Sequence, residues 1–331
     1  MKKYLALLLA LVMVFALCAC GSKSETPAPA ADGSADAEAP AAGSELTFVT
    51  GGESGTYYAF GTVLAQHVSD KTDSKITAVV GNGSQANVED LANGDAQLAF
   101  CQSDVAAYAY NGTNLFEESG AVTDFSVVAA LYMEQVQIVT LDESIKSVAD
   151  LKGKNVSIGA AGSGVYFNAL DILGAYDLTE DDIKPVYQSF ADSADSLKDG
   201  KIDAAFIVAG APTTAITDLA TGGKPVYLVS LDDAHIDALM AASPFYSKAV
   251  IAADTYGLPA DVNTVAVGAL VLARNDAADA DVYNFVSSIF DNLEEVTAAH
   301  AKGAELNPEF AFSVEGIPYH PGAIQYFEAQ G

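Results

Sequence analysis

Serine and glycine recur where an apolar run of the sequence meets the start of an amphipathic stretch, and such turns can bind a small polar molecule. Hydroxyls donate and accept hydrogen bonds, and glycine lets the backbone approach a ligand closely. Free N–H groups in the first turn of a helix favour an anion. Turns of this kind lie at residues 51–56, 81–84, 102–104, 160–164 and 209–212.

Two of these turns carry the same motif, which predicts a repeated structural unit. SGTYY at residues 54–58 and SGVYF at residues 163–167 each place two aromatics after Ser-Gly and one further residue. LANGDAQLAF at 91–100 and LKDGKIDAAF at 197–206 form a second pair at nearly the same separation. In both members of that pair, glycine is suited to end a helix before a strand. The repeated order predicts two lobes of similar topology, with a ligand cleft where their strand ends and helix starts face each other.

The elements that position these turns are predicted from the alternation of short Val, Ile, Ala and Phe runs with amphipathic stretches. This alternation favours an α/β fold in which helices flank mainly parallel sheets. The apolar runs at 136–141 and 265–273 are predicted to be the strands that cross between the lobes. The expected organisation is lobe I at residues 45–137, lobe II at 138–255, and the return strand with the second part of lobe I at 256–331.

The start of the chain is typical of an export signal. In residues 1–19, Lys2 and Lys3 precede an apolar run, and LCAC at 17–20 resembles a bacterial lipobox. Cys20 is then the predicted lipidated residue, with an ordinary secretory cleavage site as the alternative. Residues 20–44 are rich in Ala, Pro, Ser, Gly and acidic residues, which predicts a flexible tether. We therefore expect an extracytoplasmic lipoprotein, anchored to the outer face of the cytoplasmic membrane.

The charge of the chain limits its partners. A formal net charge of −29 argues against nucleic acid, whose affinity comes largely from Lys and Arg. Arg274, the only arginine, is predicted to be a surface charge. An anionic ligand would then be held by backbone N–H groups, hydroxyls and amides. Glu53 or Asp104 could instead contact a ligand ammonium, and a helix N-cap is an equal alternative for Asp104.

Catalytic patterns are weak in this sequence. The histidines are scattered, and no G-x-S-x-G, H-E-x-x-H, Walker or C-x-x-C pattern occurs. GNGSQA at 81–86 matches a dinucleotide pattern, but the acidic residue expected about 20 positions later is missing. Cys101 ends an apolar run and is predicted to be a buried small hydrophobe. We predict a non-enzyme without metal or cofactor, and keep an exported enzyme as an alternative.

Five motifs, in family order from about residue 45 onwards, resemble the TAXI family of TRAP-associated extracytoplasmic solute-binding proteins. They are TGGESGTYY at 50–58, QSDVA at 102–106, GAAGSG at 159–164, AFIVAGAP at 205–212 and HPGA at 320–323. The resemblance implies a two-lobed periplasmic-binding-protein fold, type II-like, and integral-membrane TRAP permease subunits as partners. It also implies a small organic acid or an acidic amino acid such as glutamate as ligand. Glu53 departs from the family, which often has Thr or another small residue there.

The turns and the resemblance together give one predicted ligand site. A binding subunit of an ATP-driven ABC importer, or a chemosensor, would share this fold and remains the alternative. Tyr57 and Tyr166 are the predicted ligand-facing aromatics, because neighbours on a helix diverge by about 100°. The predicted ligand-binding residues are Ser54, Gly55, Thr56, Tyr57, Ser84, Gln102, Ser103, Asp104, Ser163, Gly164, Tyr166, Ala209, Gly210 and Ala211.

Overall fold

The computed structural model describes residues 43–330, and its first part is a regular succession of strands and helices. Helix α1 has the expected amphipathic pattern, since Phe60, Leu64 and Val68 lie four residues apart and are all fully buried. The elements are β1 (Glu45–Val49), α1 (Thr56–Lys71), β2 (Lys75–Val79), α2 (Ser84–Asn93), β3 (Leu98–Gln102) and α3 (Ser103–Asn111).

A long strand then leads into a second succession of the same kind. Strand β4 (Phe125–Thr140) is buried along almost its whole length on both faces. It is followed by β5 (Asn155–Ser157), α4 (Val165–Ala175), β6 (Lys184–Val186), α5 (Phe190–Lys198), β7 (Ala204–Ala209) and α6 (Thr214–Thr221). The order β-α-β-α-β-α therefore occurs twice, as the paired sequence motifs predicted.

The last third of the chain contains a second long strand and a group of helices. It comprises β8 (Tyr227–Leu228), α7 (Asp233–Ala242), β9 (Ser247–Ile251), β10 (Val262–Arg274), α8 (Asp279–Phe290), α9 (Leu293–Ala299), α10 (Pro308–Ala311) and α11 (Pro321–Ala329). Within residues 43–330, no helix is both long enough and apolar enough to cross a lipid bilayer. The predicted signal segment and Cys20 lie outside the described residues.

All ten strands of the described chain belong to one sheet. Eight of them follow the near-symmetric order β2-β1-β3-β10-β4-β7-β5-β6, while β8 pairs with β4 and β9 with β10. The three strands at each end are parallel to one another. The central strands β10 and β4 are antiparallel to each other and to their outer neighbours. Each half of the sheet therefore has three parallel strands and one long antiparallel strand, which confirms the predicted α/β fold with two lobes.

Separate hydrophobic cores lie on the two halves of the sheet. In the first, Phe48 stacks on Phe100 with ring centroids 5.0 Å apart and meets the edge of Phe285, from α8, at 5.8 Å. Helices α8 and α11 thus pack on the same core as β1 and α1. In the second, Phe206 packs with Val156 and Ile172. Replacing one of these buried phenylalanines by alanine typically costs about 3–5 kcal/mol.

The two predicted crossing strands are present as parts of β4 and β10, and β4 is much longer than predicted. The predicted crossing strand at 136–141 is only the second part of β4, which begins at Phe125. Because both faces of β4 are buried, its residues do not alternate between apolar and polar, and the pattern that marks a half-exposed strand is missing.

Candidate ligand-binding cleft

A cleft of about 330 Å³ lies between the two halves of the sheet, at the small end of the ~300–1,000 Å³ range of small-molecule sites. Most of its wall consists of strand ends and the turns that follow them. The lining residues are Gly51, Gly52, Glu53, Ser54, Gly55, Thr56, Tyr57, Val80, Gly81, Asn82, Gly83, Ser84, Gln102, Glu134, Ala160, Ser163, Gly164, Val165, Ser189, Phe190, Ala191, Val208 and Ala209.

Three helices begin at this cleft without a side chain that caps their first turn. Helices α1, α2 and α4 have glycine at the N-cap, namely Gly55, Gly83 and Gly164, and none of the three makes a side-chain capping hydrogen bond. The N–H groups of a first helical turn lack partners inside the helix, and they carry a partial positive charge. These starts can therefore hold an anionic group of a ligand.

Two hydroxyls in the cleft wall also lack partners. The Oγ of Ser163 and the hydroxyl of Tyr57 are buried and make no hydrogen bond to any residue in the described part of the chain. The residues are 7% and 9% exposed, and both line the cleft. A buried polar atom left unpaired costs about 1–3 kcal/mol, so a ligand that satisfies both atoms would gain affinity.

Nine of the predicted site residues line this cleft. They are Ser54, Gly55, Thr56, Tyr57, Ser84, Gln102, Ser163, Gly164 and Ala209. Gly210 and Ala211 lie directly behind the wall. The carbonyl of Gly210 accepts a hydrogen bond of 2.9 Å from the Thr56 hydroxyl, and the N–H of Ala211 donates to Gln135 Oε1 at 3.0 Å.

Ser103 and Asp104 lie outside the lining, because helix α3 turns their side chains toward other parts of the fold. Ser103 Oγ accepts a hydrogen bond from the N–H of Gly268 at 3.0 Å. Asp104 is fully buried, and its Oδ2 accepts from Asn168 Nδ2 at 2.8 Å. Burial raises the pKa of Asp104 to about 6. Asp104 is therefore placed to hold the lobes together and does not reach a ligand in this arrangement.

Tyr166 also lies outside the cleft, although it occupies the same place in its motif as Tyr57. Its hydroxyl donates to Glu180 Oε2 at 2.9 Å and its ring lies near Tyr187. The ring of Tyr57 instead stacks on Phe100, with centroids 4.4 Å apart. The two motifs thus share a backbone path but differ in the neighbours that surround their first aromatic.

Direct contacts join the two lobes around the cleft, so the structure has a closed arrangement. Gln102 Nε2 donates to Asn168 Oδ1 at 2.7 Å, which connects β3 to α4. The N–H of Ala86 donates to the carbonyl of Gly162 at 3.0 Å. A Cβ atom on Gly164 would lie 1.4 Å from Gln102 Oε1. The lobes approach this closely because residue 164 has no side chain.

Glu134 is the important residue that the sequence analysis missed. It lies on β4 opposite Val267 of β10, lines the cleft, and is only 2% exposed. Burial raises the pKa of its carboxyl well above the usual value; Tyr57 and Lys302 oppose the rise, whereas Asp104 adds to it. The available signal was the only acid in a predominantly apolar stretch, since carboxyls are almost never fully buried unless they are paired.

Cys101 and Arg274 both lie outside the cleft lining. Cys101 is free and fully buried, as predicted. Arg274 forms two hydrogen bonds with Asp276, at 2.7 and 2.8 Å, and one with the carbonyl of Leu91 at 2.9 Å. Arg274 is therefore held at the end of β10 and does not line the cleft. This position agrees with its prediction as a surface charge.

The fold and the cleft define the class of two-lobed periplasmic solute-binding folds. MatC from Rhodopseudomonas palustris, solved with bound malate, aligns with a TM-score of 0.55 at 15% identity, over 80% of this chain and 90% of its own. The alkanesulfonate-binding protein SsuA from Xanthomonas axonopodis pv. citri, bound to MOPS, aligns with a TM-score of 0.49 at 17% identity, over 87% of this chain and 84% of its own. The chain belongs to the NMT1-like family, which it matches over residues 48–331.

Proposed function

We propose that this chain is the extracytoplasmic solute-binding subunit of a TRAP transporter of the TAXI type. It captures one small organic acid or acidic amino acid between its lobes, closes over it, and delivers it to membrane permease subunits. The observation that carries this proposal is the convergence of three uncapped helix starts and two unpartnered hydroxyls on one closed cleft.

The helix starts and hydroxyls of the cleft are suited to hold a small anionic ligand. Backbone N–H groups and neutral hydroxyls can hold a carboxylate without a bidentate guanidinium. The five motifs that resemble the TAXI family support the finer assignment, because residues from four of them line the cleft, namely 51–57, Gln102, Ala160, Ser163, Gly164, Val208 and Ala209. The nine cleft-lining residues of the predicted set are our proposed ligand contacts.

A thermal-shift screen of the full chain, purified in detergent, tests the capture of a solute. The panel contains dicarboxylates, 2-oxo acids, acidic and neutral amino acids, and sugars. A ligand present at 100 times its dissociation constant adds about 2.7 kcal/mol to the free energy of unfolding, so a true ligand will stand out. A shift with small acids supports the proposal, and a shift with sugars alone contradicts it.

Transport in membrane vesicles tests the choice of permease. If the partner is a TRAP permease, uptake of the ligand depends on this chain and stops when the ion gradient is collapsed, while removal of ATP has no effect. Uptake that requires ATP and survives the loss of the gradient would assign the chain to an ABC importer instead.

A further inference from the structure

The described side chains that line the cleft include acids but no bases. Its lining contains two carboxyls, Glu53 and Glu134, and no lysine, arginine or histidine among the described residues. Glu53 is exposed at the opening, whereas Glu134 is buried. When Glu134 is ionised, it repels a ligand anion and attracts a ligand cation.

The groups that face Glu134 do not neutralise it. Tyr57 from α1 and Tyr132 from β4 contribute neutral hydroxyls; that of Tyr57 favours the ionised form of Glu134 but brings no positive charge. Asp104 from α3 adds a second acid, which raises the pKa of Glu134 further. Lys302 acts on Glu134 from a distance, but it is outside the cleft lining and forms an ion pair with Glu305.

An ionised carboxyl that is buried needs a compensating charge, and here the ligand is the group that can bring one. The starts of α1, α2 and α4, which have no capping side chain, could hold an anion in the same cleft. One end of the site thus favours a carboxylate and the other favours a cation. An α-amino acid carries both groups, and the volume of about 330 Å³ suits a molecule of that size.

We propose that Glu134 binds the ammonium group of the ligand, so that the cleft selects α-amino acids over the corresponding 2-oxo acids. This inference rests on the proposed function, because it requires a solute in this cleft. It goes further by choosing between the amino acids and the nitrogen-free organic acids that the proposed function allows. The competing arrangement is a protonated Glu134 that donates a hydrogen bond to a ligand carboxylate, and it predicts the opposite selectivity.

Matched pairs of ligands test the inference, because each 2-oxo acid differs from its amino acid mainly in lacking the ammonium group. Calorimetric titration of the full chain in detergent uses L-alanine and pyruvate, L-glutamate and 2-oxoglutarate, L-leucine and 4-methyl-2-oxopentanoate, and the dicarboxylates malate and succinate. The variants are Glu134→Gln, Glu53→Gln for the competing carboxyl at the opening, and Glu143→Gln as a matched control at an exposed carboxyl outside the cleft lining.

In the wild-type chain, we expect at least one amino acid to bind about 100-fold or more tightly than its 2-oxo acid, since a site built for an N–H group rejects an analogue that lacks it. Glu134→Gln is expected to reduce that ratio to below about 10-fold, and Glu143→Gln to leave it within about 3-fold of wild type. The wild-type ratio does not depend on whether a variant folds, and melting curves of all three variants check their folding.

Each other result overturns the inference in a recognisable way. If the wild-type chain binds a 2-oxo acid or a dicarboxylate as tightly as any amino acid, solute capture stands and the role of Glu134 is wrong. If Glu53→Gln removes the discrimination and Glu134→Gln does not, the ammonium lies at the opening. If no acid of either kind binds, both the inference and the proposed function fail.

Discussion

Asp104 shows how a single buried carboxyl in the contact between the lobes affects the whole chain. It is fully buried, and burial raises its pKa from 3.8 to about 6. The folded chain therefore holds this proton more tightly than the unfolded chain does. By linkage, the contribution of Asp104 to stability is lost as the pH rises from about 4 through about 6.

The Asp104→Asn variant should lack this pH dependence, because an amide does not titrate. We expect the difference in melting temperature, variant minus wild type, to become more positive between about pH 4 and about pH 7. Melting curves recorded across that range measure it. Asp218→Asn, at an exposed position, is the control for the change in net charge. A difference for Asp104→Asn that stays constant with pH would show that this carboxyl does not titrate as the structure requires.

Residue types and spacing pointed to several turns that line the cleft, but not to the buried carboxyl of Glu134. The Ser-Gly turns could be placed because glycine and serine before a helical pattern have a local meaning. Tyr166 could not be separated from Tyr57, since the two motifs are alike and only distant neighbours, Glu180 and Phe100, distinguish them. Glu134 lies inside a strand, where its partners come from other elements of the fold.

At the scale of elements, the start of α4 controls how closely the lobes can approach. A methyl group at Gly164 would collide with the Gln102 side chain and come within 2.9 Å of Ser84 Oγ, both of which belong to the opposite lobe. The backbone at residue 164 is in the right-handed helical region, so alanine causes no strain by itself. The Gly164→Ala change therefore acts on the contact between lobes and leaves α4 intact.

We expect Gly164→Ala to weaken ligand binding about 10-fold or more, because it destabilises the closed arrangement relative to an open one. Gly174→Ala is a matched control in the same helix, since a Cβ atom there would meet nothing within 4 Å. That control should bind normally and gain about 0.5–1 kcal/mol of stability. Titration and melting curves of both variants measure these effects. Normal binding by Gly164→Ala would contradict the closed arrangement as the binding state.

The paired motifs predicted the elements well because each motif specifies its own turn. Gly94 and Gly200 both have a left-handed φ, of 84° and 68°, and each lies four positions before the first residue of the next strand. The long central strands were harder to predict. The paired residues of β4 and β10 that are closest in sequence, Gln135 and Ala266, are 131 positions apart, and no local pattern encodes such a pairing.

At the scale of the whole molecule, the proposed anchor would hold the binding protein near its permease. Cys20 and residues 21–42 of the tether lie outside the described residues, so the anchor remains a prediction from sequence. A stable anchor requires two or more acyl chains, since one gives only marginal attachment.

We expect Cys20→Ser to move the chain from the membrane fraction to the soluble fraction of its native host, with unchanged ligand affinity. Fractionation and the mass of the N-terminal peptide measure this. Retention in the membrane fraction, with an unmodified N-terminal peptide, would contradict lipidation at this cysteine.

We propose that a ligand carboxylate lies beside Ser163 between the closed lobes, and calorimetric titration of Ser163→Asp and Ser163→Asn tests this position. The two side chains have nearly the same size, so the comparison separates charge from volume. We expect one ligand per wild-type chain, no detectable binding by Ser163→Asp, and a measurably higher affinity for Ser163→Asn, with similar melting temperatures without ligand. Wild-type affinity in Ser163→Asp would show that the carboxylate does not lie beside this residue.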